Sequence, residues 1–391
     1  MDKIRSTVIA IAQLSAAIAL GVVAYKSSVI ASDIKASRRA VLFETMPKIS
    51  LEELQRRVQA MPLQPDLLHG LIAHRVKQRD ARVLDESERS ALQSLGWQST
   101  VIQLDLYKDG LNRSDVNTVV TRIDGLLRRG KMTEELVNVL IEIEQVAPQT
   151  RRMLVDLLAD KPNWRRDFLT APEGFAGADA VAARASTLNM MFDQKLSIKR
   201  EEVAPIVNGL EVTGKLDQAE KLWRKFHHIP RPAPRPYDPN FNQLASTPLD
   251  SQHQTMAYEW RTGSGAGYSA EARQIGSESP VLNITWDGRA APVFIRQRLI
   301  SEPGRFEVSV DGVALDPGAM RRIAFVFYCG GRPIFHDLVS RKEGRFVYSA
   351  NEPVTCANPE MRLVGMPQDS SNPLEIELTS IWLQSRGASR L

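Results

Sequence analysis

The hydrophobic period of this chain changes once, and that change constrains the fold more than any other feature. Before residue 229 the apolar residues recur at helical spacing. Val116, Val119, Val120, Ile123, Leu126 and Leu127 follow the i, i+3, i+4, i+7 rule. After residue 240 they alternate. Leu282, Ile284 and Trp286 are interleaved with Asn283, Thr285 and Asp287, and Leu374, Ile376 and Leu378 with Glu375, Glu377 and Thr379. A period of 3.6 lays an apolar stripe on a helix, and a period of two lays one on a strand. Between the regimes runs IPRPAPRPYDPN, with Pro230, Pro232, Pro234, Pro236 and Pro239, a composition that favours extended polyproline II. The expected organisation is a helical domain over 40–228, a proline-rich linker over 229–240 and an all-β domain over 241–386.

The helical part carries legible start and stop signals. Ser50-Leu51-Glu52-Glu53 is a capping box, with the cap serine followed three residues on by glutamate. Ser114 is the expected cap of the helix over 115–129, and Gly130 can close it in the left-handed conformation. Thr133 opens the next helix. Turns at Gly110, Gly130 and Gly214 predict antiparallel helix pairs stacked in sequence, the logic of a tetratricopeptide-like (TPR-like) solenoid, although the strict 34-residue consensus is met nowhere. Trp97, Trp164 and Trp223 are expected to fill gaps between helices.

The β part reads as nine or ten short strands separated by turn signals such as Asp287-Gly288, Pro303-Gly304 and Gly330-Gly331. That pattern predicts a two-sheet β-sandwich, with connections of varied length that suggest a jelly roll. Trp260, Trp286 and Trp382 share parity with apolar neighbours and are expected in its core. Cys329 ends one strand and Cys356 precedes another, so a Cys329–Cys356 disulfide would tie adjacent strand ends. Two buried free thiols are the alternative, and an export signal favours the bond.

Such a signal stands at the N-terminus. Residues 7–25 carry no charge, and nineteen helical residues span about 28 Å, close to a bilayer core. Lys3 and Arg5 precede the run. Val-x-Ala sequences ending at Ala24 and Ala31 would permit cleavage, but the length of the run favours a retained anchor over 1–30. Lys26, Lys35, Arg38 and Arg39 on the far side would place the bulk in the cytoplasm by charge alone. The short leading tail and the cysteine pair favour export. The expectation is an inner-membrane, single-pass protein with its bulk in the periplasm.

Chemistry is sparse. Fifty Lys+Arg against 46 Asp+Glu leave +4, too small a surplus for a nucleic-acid footprint. No nucleophile elbow, phosphate loop or H-E-x-x-H motif occurs. His69 and His74, and His227-His228, lack metal-ligand spacing, and His336-Asp337 has no activated serine or cysteine beside it. No catalytic residue, cofactor or metal is therefore assigned. A sugar site needs a ring beside hydrogen-bonding groups, and the best placed pair is Tyr268, next to the glycine-rich TGSGAG run, with Arg261 on the opposite parity to Trp260.

KPNWRRDFL (161–169), GKLDQAEKLWRKF (214–226), YEWRTGSGAG (258–267), PGRFEVSV (303–310), the Cys329/Cys356 pair and LEIELTSIWL (374–383) together resemble a family of alphaproteobacterial envelope proteins. Those proteins join an N-terminal anchor, a TPR-like half and a C-terminal sandwich, and are associated with exopolysaccharide loci. The sandwich is similar to carbohydrate-binding modules of the galactose-binding-like class, although none of their ligand motifs maps onto this sequence. The resemblance implies a non-enzymatic accessory protein of envelope or exopolysaccharide assembly. Its helical half would bind a protein partner among the polysaccharide-export proteins, and its sandwich would bind envelope polysaccharide or another subunit. A carbohydrate-active enzyme and a purely structural spacer are the alternatives.

Overall fold

The computed structural model describes residues 50–61, 64–78, 83–95, 97, 99–229, 236–247, 255–274, 279–313, 315–342, 345–367 and 373–386. The expected anchor, residues 1–30, lies outside them. Among the described residues no helix is long and apolar enough to cross a membrane. The chain divides into two compact units, Met1–Ser197 and Ile198–Leu391.

The first unit is helical throughout its described part. Its helices are α1 (Leu51–Ala60), α2 (Pro65–Gln78), α3 (Glu86–Leu95), α4 (Thr100–Asn112), α5 (Val116–Leu127), α6 (Thr133–Val146), α7 (Arg151–Ala159), α8 (Arg165–Thr170) and α9 (Ala178–Asp193). The capping serine works as read: Ser50 Oγ accepts from the Glu53 N–H at 3.3 Å. The cap of α5 is Asp115, whose Oδ1 accepts from Thr118 N at 3.1 Å, and not Ser114, which sits at φ 56° in the tight turn before it. Gly130 takes φ 62° and closes α5 as expected. Val119, Val120, Ile123, Leu126 and Leu127 are all buried, so the stripe read from the sequence is the core face. Trp164 fills the interior and donates Nε1–H to Asp124 Oδ1 at 2.9 Å. Trp97 is 63% exposed and fills no gap. From α1 to α6 each helix packs on the next; beyond α6, the short α8 and two 3-10 turns interrupt the alternation and α9 packs back on α6 and α7. A buried ion pair, Arg184 Nε to Glu144 Oε2 at 2.9 Å, joins α9 to α6.

The second unit contains the last helical hairpin and the sheet. The hairpin is α10 (Arg200–Val212) and α11 (Leu216–His227), joined through Gly214 at φ 75°. A short helix, α12 (Asn242–Ser246), precedes eleven strands among the described residues. These are β1 (Arg261–Thr262), β2 (Ser264–Gly265), β3 (Tyr268–Arg273), β4 (Val281–Trp286), β5 (Val293–Arg298), β6 (Arg305–Val313), β7 (Ile323–Cys329), β8 (Arg332–Lys342), β9 (Arg345–Ser349), β10 (Glu360–Gly365) and β11 (Leu374–Arg386). One further single-turn helix, α13 (Pro317–Met320), lies between β6 and β7. All strand pairs are antiparallel, in the order β1-β5-β10-β7-β8-β9-β6-β11-β4-β3-β2.

Two corners fold this ribbon into a barrel- or sandwich-like sheet. The first half of β8 pairs with β7 and its second half with β9, with a register shift at Val339 between them. At the other end Gly263 separates β1, paired with β5, from β2, paired with β3. Gly263 N–H donates to Phe294 O at 2.7 Å while its carbonyl accepts from Ala270 N at 3.1 Å, so one residue bonds both sheets. A Cβ there would stand 2.2 Å from the Val293 carbonyl, so only glycine fits this corner. The crossing is short, since β1 and β2 each pair over only two residues at the ends of the strand order. The two inner faces meet in one apolar core: Phe306 on β6 stacks on Phe327 of β7 at 5.8 Å, and Trp286 on β4 meets Phe294 of β5 edge-on at 5.8 Å.

Trp286 and Trp260 are core residues as read, but Trp382 is not. The register of β11 against β6 shifts between Leu378 and Ser380. A bulge adds one residue and reverses the parity beyond it. Ile381 and Leu383 therefore turn inward, while Trp382 lies half-buried with Nε1 donating to Ser380 Oγ at 2.9 Å. Cys329 and Cys356 form a disulfide, with Cα atoms 5.5 Å apart.

Candidate functional site

A dense polar constellation gathers around Glu259, one residue before the buried Trp260. Glu259 sits in a turn in which its own N–H bonds the Met256 carbonyl at 3.0 Å and its Oε2 accepts from Met256 N at 2.9 Å. Three elements converge on its carboxylate. Arg200, the first residue of α10, donates Nη1–H to both oxygens at 2.9 and 2.6 Å. His227, the last residue of α11, stands with Nε2 2.8 Å from Oε1. Gln243 of α12 approaches at 3.5 Å. Tyr237 Oη then bonds His227 Nδ1 at 3.1 Å, completing a Tyr–His–Glu–Arg chain. Trp223 packs beneath it, 4.9 Å from Tyr237, 5.2 Å from His227 and 5.4 Å from Tyr258.

The electrostatics follow from burial and pairing. Burial raises the Glu259 carboxyl, but the His227 hydrogen bond and the Arg200 charge outweigh it and leave the group below the ordinary value. Tyr237 is pushed up to about 12, chiefly by burial and then by the charges of Glu259 and Asp238. Asp238 is raised by burial and by Glu259, against the opposing backbone N–H groups of residues 242–244. Its Oδ2 accepts from Gln243 and Leu244 N at 2.9 Å each, which holds α12 in place.

These residues border a cleft of about 210 Å³. Tyr237, Asp238, Glu259 and Trp260 form part of its lining, with Gln243, Thr247, Thr255 and Thr262 as neutral polar groups and Arg261 and Arg296 as cations. The segment carrying Tyr237 is pinned to the sandwich: Tyr237 N and O both bond the buried Gln297 side chain at 2.9 Å, and Trp260 Nε1 donates to Asp238 O at 2.9 Å. The Tyr237–Asp238 wall of the cleft is therefore tied to the sheet.

Of the two residues proposed from the sequence for sugar contact, Arg261 lines this cleft and Tyr268 does not. Arg261 Nη2 donates to Asn208 Oδ1 at 2.8 Å and stands 3.3 Å from Glu211 Oε2, so α10 orients it. Tyr268 packs against the sandwich core, 6.3 Å from Phe294. His336 and Asp337 point to opposite faces of β8. His336 is fully buried beside Phe327 at 4.4 Å, and Asp337 is exposed. Among the described residues no group of three His, Cys, Asp or Glu side chains is placed to hold a metal ion. The sequence reading missed Glu259 as a hub because its partners lie 59 and 32 residues away, with no local spacing to betray them. The one available signal was a charged residue flanked by inward Tyr258 and Trp260. In comparisons with known proteins, no family model and no curated protein matches the chain.

Proposed function

We propose that this is a non-catalytic, membrane-anchored periplasmic accessory protein of envelope or exopolysaccharide assembly, and that its sandwich binds a glycan in the cleft beside Glu259. The observation that carries the reading is the cleft itself. It is close to the size of one hexose and rich in neutral hydrogen-bonding side chains around Trp260 and Tyr237. The Glu259 carboxylate that borders it is already oriented by Arg200 and His227, as binding sites built for orientation require.

Several features support the wider picture. Strands β4 to β11 divide between two four-stranded layers, β4-β11-β6-β9 and β5-β10-β7-β8, with only β7 and β8 consecutive in one layer, and this interleaving supports a jelly roll, an architecture common among lectins. The disulfide suits an oxidising compartment and hence an exported sandwich behind the uncharged residues 7–25. Helices α1 to α6, each packed on the next, suit a degenerate TPR-like array that presents a face to a protein partner, for which polysaccharide-export proteins are the candidates.

The test is a glycan array probed with the purified full chain, followed by titration of any hit against Arg261→Ala and Gln243→Ala. Binding that both substitutions weaken supports the reading; a blank array, or hits indifferent to both, removes it. An enzymatic reading has one observation in its favour: Asp238 and Glu259 border the same cleft with their acidities pushed in opposite directions, as in acid–base pairs. Turnover of envelope polysaccharide that is lost in Asp238→Asn would replace the binding reading with that one.

A further inference from the structure

The outer face of the layer containing β1, β5 and β10 carries an arrangement that folding alone does not favour. Arg261, Arg296 and Arg362 are direct register partners on three adjacent strands, Arg261 opposite Arg296 and Arg296 opposite Arg362. Like charges placed opposite one another across strands are destabilising. Arg298 joins them one register step away on the same face. Four guanidinium groups share two carboxylates. Glu211 takes Arg298 at 2.9 Å and Arg261 at 3.3 Å. Glu360 takes Arg362 at 2.5 Å and reaches Arg298 at 3.8 Å and Arg296 at 3.9 Å. Two positive charges are left over, and Arg296 holds the longest of these pairs. It is also the most exposed of the four, at 47%, and it lines the cleft.

The acids of the cleft offset only part of that surplus, since Asp238 takes no cation of its own among the described residues and counts against one of the two charges. Glu259 is engaged by Arg200 and His227, and Asp238 accepts backbone N–H groups of α12. The cleft thus offers neutral hydrogen-bonding groups on one side and an arginine row on the other. We propose that its ligand is an acidic glycan, a uronate unit whose carboxylate is taken by the Arg296 guanidinium while its ring occupies the cleft. The planar guanidinium fork matches a carboxylate in two parallel hydrogen bonds, and Arg261, held by Asn208 and Glu211, supplies a second fixed positive charge. This inference rests on the glycan reading of the cleft and adds the charge class of the ligand.

The test is calorimetric titration of the full chain with short oligomers of galacturonate, glucuronate and mannuronate, each beside its carboxyl-reduced counterpart. At least one uronate oligomer is expected to bind, and its reduced counterpart about tenfold or more weakly. Arg296→Gln is expected to cause a loss of similar size for the uronate alone, with an unchanged thermal midpoint, and Arg296→Lys to restore only part of it. Binding should weaken as salt is raised. Equal binding of uronate and reduced oligomers would overturn the uronate assignment and leave the glycan site standing. Uronate binding indifferent to Arg296→Gln would overturn the assigned position. Silence from every oligomer, acidic and neutral, would overturn both this inference and the glycan reading beneath it.

Discussion

A histidine sealed in the sandwich core should make this protein acid-sensitive by a calculable amount. His336 alternates with Ile334 toward the interior of β8 and packs against Phe327. Burial lowers its imidazole to about 4 from 6.5, against the opposing carbonyls of Ile334 and Phe306 and the charge of Asp337. The folded form thus resists protonation that the unfolded chain accepts. Above pH 6.5 both states are neutral at this residue and its titration costs nothing. As pH falls from there toward 4 the unfolded chain binds the extra proton, and stability is lost. The full gap corresponds to about 3 kcal/mol, of which about 2 kcal/mol is already lost at pH 5. For a unit of this size that is a fall of about 6 °C in the unfolding midpoint. Other groups titrate over the same range, so the informative quantity is the difference between wild type and His336→Leu, a change close in volume. The variant should equal or exceed wild type at pH 7.5, because it removes a buried imidazole whose nitrogens lack partners of good geometry. It should surpass wild type by about 2 kcal/mol at pH 5. Parallel pH profiles for the two proteins, measured by urea unfolding at a series of pH values, would refute the argument. So would a large loss in His336→Leu at pH 7.5, which would mean that the ring makes bonds the fold needs.

Three further perturbations test separate parts of the structure. Reducing the disulfide, or replacing Cys329 and Cys356 by serine, opens a loop across a separation of 27 residues and should cost about 3.5 kcal/mol in urea unfolding; an unchanged midpoint would show that the bond contributes no stability. Glu144→Gln strands the fully buried Arg184 and should cost about 3–5 kcal/mol in the first unit, whereas a loss below about 1 kcal/mol would mean that the pair is already hydrated. Gly263→Ala drives a methyl into the Val293 carbonyl at the sheet corner and should lower the midpoint sharply, read by calorimetry; a neutral substitution would show that the corner relaxes.

What could be read from the sequence was what repeats locally. The stripe through Val119, Ile123 and Leu126 became a core face because the helix period allows no other burial, and the alternation through Leu282 and Ile284 became an inner sheet face for the same reason. Trp382 escaped because one extra residue at Thr379 reverses parity, and a bulge has no reliable sequence mark on its own. Ser114 and Asp115 are both good caps, and the choice between them was settled by a left-handed turn that places Ser114 outside the helix. The site was the least legible part. Glu259, Arg200 and His227 meet only after the helical hairpin packs in the same unit as the sandwich, and the arginine row exists only once β1, β5 and β10 are in register. Arg261 was singled out from its parity and does line the cleft, while Tyr268, singled out for its neighbouring glycines, packs against the core.

The most direct test of the central claim is hydrogen exchange on the full chain with and without the proposed ligand class, a saturating acidic polysaccharide. The account predicts added protection confined to the backbone around residues 237–247, 255–262 and 293–298, which carry the cleft and its arginines. Protection elsewhere on the chain, or none at saturating polysaccharide, would contradict it.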